Sequence, residues 1–361
     1  MATRDQIARL RLIRSEQIGP VTYGQLIARF GSAEAAIDII PDLAARGGGR
    51  PPRIATVAEA EQEVARVEKL GARHLFLGED NYPPLLAHIE AAPPVLTCMG
   101  NTQLLARPMV SMVGARNASA SACRFARQLA QQLGDRGSVI VSGLARGVDS
   151  AAHDGALSTG TIAVIAGGID IFYPPENEER QRAIGGQGLI LAEQPPGTEP
   201  RARHFPYRNR IIAGLAPGTI VVEAAPKSGS LITARYAAEF GREVMAVPGS
   251  PLDPRAQGCN QLIREGATLV QNADDVLEAL GPIGAGLVRQ DGSGFQAPPG
   301  FGDADEAARG AVVDLLNVTP VAIDELIRQS NLSAPIVQTV LLELELAGRI
   351  ERHAGGRVSL A

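Results

Sequence analysis

The chain of 361 residues has no tryptophan, three cysteines and only two lysines, and each shortage excludes something. Cys98, Cys123 and Cys259 have neither the spacing of a disulfide framework nor that of a zinc site, so they read as ordinary thiols in a reducing cytoplasm. No run of about 18 uncharged apolar residues occurs, which removes a membrane-spanning helix. The opening Met1-Ala2-Thr3-Arg4-Asp5 has an early acid and no apolar stretch behind it, unlike a secretory signal. A Gly-x-x-x-x-Gly-Lys-Ser/Thr loop is missing, as is Gly-x-Gly-x-x-Gly after the first parallel strand, so neither ATP hydrolysis nor a dinucleotide cofactor is expected.

Catalytic and metal constellations are equally thin. His74, His88, His204 and His353 are dispersed, and His153-Asp154 fits local pairing beside a helix-capping Asp149 better than a metal dyad. Ser142, Ser228 and Ser230 lie in loops but in no Gly-x-Ser-x-Gly elbow. Glu193 and Glu223 are the best candidate acids near those loops. The sequence therefore predicts no catalytic residue, no metal and no cofactor.

What is present is globular: 45% of residues are hydrophobic and 20% charged. The length suits two or three domains. A net charge of −5 argues mildly against a polyanion ligand, although binding depends on a local patch rather than the sum. Residues 1–72 read as short helices and a connector, with Arg-Gly-Gly-Gly-Arg at 46–50 flexible and Thr56-Val57-Ala58-Glu59 a capping box. Ile18-Gly19-Pro20 gives this part a sterile-alpha-motif-like or helix-hairpin-helix look. Residues 73–280 alternate short β-branched runs with helix-length segments, which predicts a Rossmann-like, doubly wound, mostly parallel sheet covered on both faces. Residues 281–304 read as a linker, and 305–361 as three helices and a hairpin, a winged helix.

In such a sheet, ligands bind beyond the carboxyl ends of the strands, where helix N-termini present free amides. Three loops there carry glycine and one cation each: Gly114-Ala115-Arg116, Ser142-Gly143-Leu144-Ala145-Arg146-Gly147, and Lys227-Ser228-Gly229-Ser230. Together they offer amides, hydroxyls and three positive charges, a combination suited to phosphate oxygens. Residues 201–210 add Arg208, Asn209, Arg210 and two more arginines, with Phe205 and Tyr207 between them. Cations interleaved with aromatics suit a single strand, whose phosphates need charge and whose bases can stack. The plainer readings are tight-turn glycines, core aromatics, and arginines paired with acids such as Glu223.

The ordered series Val113-Gly114-Ala115-Arg116, Ser142 to Asp149 with Ala152-His153, Phe205 to Ile212, Lys227 to Ala234 and Val247-Pro248-Gly249 resembles the DNA-processing protein A family, DprA or Smf. That resemblance implies a protein that binds single-stranded DNA on its Rossmann domain, protects incoming DNA during natural transformation, loads RecA recombinase onto it, and dimerises through that domain. It carries phosphate contact over to Arg116, Arg146, Arg208, Arg210 and Lys227, with the amides of Gly114, Gly143, Gly229 and Ser230. Val148 stands where the family usually has isoleucine. The residues 333–347 of the winged helix contain no Lys or Arg but include Glu343 and Glu345, unlike a helix that reads a major groove, so a protein-contact or regulatory role is expected there. The rival readings are an enzyme similar to nucleoside phosphate hydrolases, whose Pro-Gly-Gly-x-Gly-Thr loop breaks off here after Pro248-Gly249-Ser250, and a small-nucleotide sensor.

Overall fold

The structure is a computed structural model and describes residues 2–287, 304–353 and 355–361. It divides into two compact units, one drawn from Met1–Gln62 and Gly292–Ala361, the other from Glu63–Asp291.

The first unit begins with α1 (Arg4–Arg14), α2 (Pro20–Phe30) and α3 (Ala33–Arg46). Their ends follow sequence chemistry. Thr3 and Gln6 close a capping box, Gly31 stops α2 at φ 78°, and Ser32 Oγ accepts the Ala35 amide of α3. The Thr56–Glu59 capping box expected from the sequence opens α4 (Val57–Lys69).

The second unit runs β1 (Arg73–Phe76), α5 (Pro84–Ala87), β2 (Val95–Gly100), β3 (Met109–Gly114), α6 (Ala120–Asp135), β4 (Val139–Ser142), α7 (Val148–Ala156), β5 (Thr161–Ile165), α8 (Glu178–Gln187), β6 (Leu189–Ala192), α9 (His204–Leu215), β7 (Gly218–Val222), α10 (Ser230–Glu239), β8 (Glu243–Ala246), α11 (Gln257–Arg264), β9 (Thr268–Leu269) and α12 (Ala273–Leu287). These strands form one sheet in the order β1-β2-β6-β5-β4-β3-β7-β8-β9. It is parallel from β6 to β9, while β1 and β2 pair antiparallel at one edge. Those two strands are additions to the seven read from the sequence. The two faces of the sheet are visible in the alternation of its residues. Val139 and Val141 pack with Met109 and Val113 on one side, and Ile140 with Val110 and Met112 on the other. Helices on both faces explain why every residue of β4 is buried. Helix α12 runs past residue 280, and residues 288–303 of the expected linker lie outside the described residues.

The first unit resumes with α13 (Glu306–Leu315), β10 (Val321–Ala322), α14 (Ile323–Ser330), α15 (Ala334–Leu346), β11 (Ile350–His353) and β12 (Arg357–Leu360), the last two a hairpin joined by β10. Two features differ from the sequence reading. Leu342 and Leu346 of α15 sit in one core with Leu12, Leu26 and Ile40 of the first three helices. The glycines after α3 are not merely a flexible connector. A Cβ on Gly47 would lie 2.1 Å from the Glu343 carbonyl oxygen, and one on Gly49 2.3 Å from that of Ala347. Only glycine lets this backbone approach α15 so closely.

The acids of α15 also have another explanation. Glu343 is buried and accepts two hydrogen bonds from Arg309, at 2.7 and 3.1 Å. Glu345 accepts from Arg352 Nε at 2.7 Å. Both are internal counter-charges rather than a repulsive surface.

Candidate nucleic-acid interface

Strand order reverses at β3, which has β4 on one side and β7 on the other. The loops after these strands therefore meet at the carboxyl edge, where an open α/β sheet leaves a crevice. Backbone bonds tie them together. Ala115 N–H donates to Glu223 O at 2.7 Å, and Val148 N–H to Ala115 O at 3.2 Å. Gly147 sits at φ 75°, with a Cβ position only 2.2 Å from Ala115 O. Two non-glycine residues of the rim, Leu144 and Glu223, are also left-handed, at φ 56° and 58°. Such conformations persist only where surroundings enforce them and cluster at functional sites.

A cavity opens beside these loops. It is lined by Arg116, Gly143, Arg146 and Arg208, by Leu144 and Ala145, and by an apolar wall that includes Ile165, Ile171, Tyr173, Pro174 and Phe205. Four of the residues expected to bind DNA thus come together at one place. Arg116 lies over the Phe205 ring, with its guanidinium carbon 5.2 Å from the centroid, and Phe205 tilts against Tyr173 at 5.5 Å. Arg146 is exposed and faces Glu176 at 3.5 Å.

Arg208 is the unusual member. It is 6% exposed, and its Nε is buried without a hydrogen-bond partner. Among the described residues no ion pair or hydrogen bond engages its guanidinium. Burial pushes its pKa down to about 10, with the Asp149 charge opposing that and Arg116 adding to it, so it stays cationic at neutral pH. A buried cation whose donors make no hydrogen bond is costly, even beside a carboxylate, until an anion arrives to accept from it.

The other expected residues are placed differently. Arg210, expected to contact phosphate, does not line the cavity. Its side chain is buried and paired with Glu193. Two residues along a helix rotate a side chain by about 200°, so Arg208 and Arg210 of α9 cannot share a face. Ser142 Oγ is buried and donates to Met112 O at 2.6 Å, which closes β4 against β3. A Cβ on Gly114 would lie 2.0 Å from Val222 O, so this glycine serves strand packing. Asn209 Nδ2 donates to Gly229 O at 3.3 Å and ties α9 to the last loop. Ser228 and Ser230 share a hydrogen bond of 2.7 Å with each other, Gly229 has open space around it, and Lys227 is exposed. Glu223 pairs not with the helix arginines but with the Ser119 amide and, at 3.8 Å, with Arg255.

The loop after β5, with Gly167, Tyr173 and Pro174, lines the cavity and was not singled out from the sequence. The signal was available: it follows a buried parallel strand and opens on Gly167-Gly168, as the chosen loops open on glycine.

His153, one turn after Asp149, is structural. Thr161 Oγ1 donates to Ile140 O at 2.9 Å and so accepts the His153 Nδ1–H at 2.7 Å, leaving Nε2 buried and unpartnered. Burial, reinforced by Arg180, pushes the imidazole down to about 3. With the folded value below the ordinary 6.5, neutral His153 contributes stability that is complete above about pH 6.5 and lost as pH falls toward 3. At about pH 4.5 this group alone is expected to cost about 2–3 kcal/mol. Thermal melts at that pH and at neutrality should show a smaller drop for His153→Gln than for wild type, and equal drops would refute the assignment.

Known proteins match most of this chain. The family profile described as DNA recombination-mediator protein A matches residues 73–281. The profiles for a DprA-like N-terminal HHH domain and a DprA winged helix domain match residues 3–65 and 296–356. The chain is 36% identical to Protein Smf of Synechocystis over 317 residues, 78% of this chain and 79% of that one. It is 50% identical to DNA processing protein DprA of Streptococcus pneumoniae over 201 residues, 55% of this chain and 71% of the relative. The X-ray structure of the S. pneumoniae protein aligns at TM-score 0.63 and 38% identity, covering 77% of this chain and 98% of that one. The Helicobacter pylori protein, described by its single-stranded DNA binding mode, aligns at TM-score 0.54 and 31% identity, covering 59% and 96%.

Proposed function

We propose a function from one premise: the chain belongs to the DNA recombination-mediator protein A family, the DprA/Smf proteins. It binds single-stranded DNA through backbone phosphates at the carboxyl edge of the central sheet, and delivers the strand to RecA recombinase in natural transformation. It acts as a binder rather than an enzyme, in the cytoplasm, and as a dimer through its Rossmann domain. The observation that carries the DNA reading is Arg208, a buried cation with an unpartnered Nε on a cavity wall that also holds Arg116 and Arg146. The apolar wall with Tyr173 and Phe205 suits an unpaired base, and stacking on such a ring contributes about 1–3 kcal/mol. Lys227, exposed on the neighbouring loop, extends the track. Among the described residues no helix is long and apolar enough to cross a membrane.

Phosphate contacts carry no sequence information, so affinity should be nearly independent of base composition. A fluorescence-anisotropy titration of an oligothymidine against a duplex of equal length, over a salt series, tests this. The single strand should bind more tightly, with log K falling against log of the salt concentration with a slope of about 0.7 per phosphate neutralised. Arg116→Ala and Lys227→Ala should each weaken binding of all sequences alike and reduce the salt slope by about that amount. Wild-type binding by Lys227→Ala would take Lys227 off the path of the strand. A nucleoside phosphate binding more tightly than the oligonucleotide would favour the sensor or hydrolase-like readings instead.

A further inference from the structure

The strand-binding reading names Arg208 but does not say what holds a buried guanidinium ready for phosphate. The side chain beside it is Asp149, in the first turn of α7. The residue is 5% exposed, and its Oδ2 accepts the amides of Gly143 and Ala145, at 3.2 and 3.3 Å. Those amides belong to the loop that lines the cavity. The same oxygen lies next to Arg208 across Gly143. A Cβ on that glycine would be 1.5 Å from Arg208 Nη1 and 2.8 Å from Asp149 Oδ2. One carboxylate therefore touches the loop and faces the cation.

We propose that Asp149 is the positioning residue of this site, fixing the Gly143–Arg146 loop and holding the Arg208 guanidinium beside it for an incoming phosphate. The proposal rests on the strand-binding reading above. Each charge supports the other against burial: Arg208 lowers the pKa of Asp149 that desolvation raises, and Asp149 raises that of Arg208. Arg116, on the neighbouring loop, also favours the carboxylate. A pair so placed gives the empty site its geometry before DNA arrives, so less ordering remains to be done on binding.

A double-mutant cycle, read by oligothymidine anisotropy at fixed salt, tests the assignment. Asp149→Asn keeps the shape and one acceptor oxygen but removes the charge. It should weaken binding about tenfold, and should add nothing once Arg208→Ala is present. An equal loss in both backgrounds would mean a general structural role and overturn the proposal. Unchanged or tighter binding by Asp149→Asn overturns it too, tighter binding making the carboxylate a competitor of the phosphate. If circular dichroism shows that Asp149→Asn does not fold, Asp149→Glu, which keeps the charge and shifts it by one methylene, supplies the same cycle. Arg208→Ala alone separates the two ideas. Wild-type affinity for it sinks the phosphate reading itself, whereas weakened binding without coupling sinks only the role of Asp149.

Discussion

Gly143→Ala should cost most of the affinity for single-stranded DNA while leaving the fold intact. The new methyl group would lie 1.5 Å from Arg208 Nη1 and 2.8 Å from Asp149 Oδ2, so the side chains around it must give way. The arginine tip is the mobile partner, because Gly143 continues β4 and its amide is fixed by Asp149. Displacing the guanidinium removes a charge-assisted contact to phosphate, worth about 1.5–3 kcal/mol, or roughly 10- to 100-fold in Kd. Oligothymidine anisotropy at one salt concentration reads the effect, and circular dichroism confirms the fold. If the alanine protein binds like wild type, Arg208 is not a ligand of the strand. The substitution is informative because it changes no charge: a loss of binding cannot be put down to a weaker overall field.

The second large effect concerns stability. Leu346→Ala removes a fully buried side chain of α15 from the core it shares with α1, α2 and α3. Burial of that kind is worth about 2–5 kcal/mol when truncated to alanine, depending on how far the cavity collapses. The loss should fall on the N-terminal helices and the winged helix together, since α15 takes part both in the core of α1 to α3 and in the winged helix's own core. Hydrogen exchange is the suitable measurement. Amides of α1 to α3 should lose protection in step with those of α13 to α15, while those of β3 to β5 keep theirs. Loss confined to residues 304–361 would show that the two ends of the chain are stabilised separately.

This shared core bears on the winged helix as a module. Its third helix buries Leu342 and Leu346 on the chain's own N-terminal helices, and its two acids are satisfied internally. The absence of cations on that helix follows from what it packs against.

Much of the site was legible because local chemistry writes it. Buried parallel strands appear as unbroken apolar runs, and the loops after them must gather at one edge of the sheet, so Arg116, Gly143 and Arg146 could be grouped by position alone. The capping box at Thr56 belongs to the same class, since partner and donor lie three residues apart. The two added strands were harder: β1 and β2 are short and pair antiparallel at an edge, with only the four-residue α5 between them instead of a full crossover helix.

What the sequence by itself determined was the order of elements and the sheet edge at which the loops of Arg116, Gly143 and Arg146 gather. Tertiary structure alone decided which arginine of α9 faces the cavity and which is buried against Glu193, that Asp149 stands behind Gly143, and that α15 closes the core of the N-terminal helices. The physical reason is common to all three. Periodicity and capping are set by neighbours a few residues away, but each of these contacts joins segments whose approach depends on the packing of everything between them.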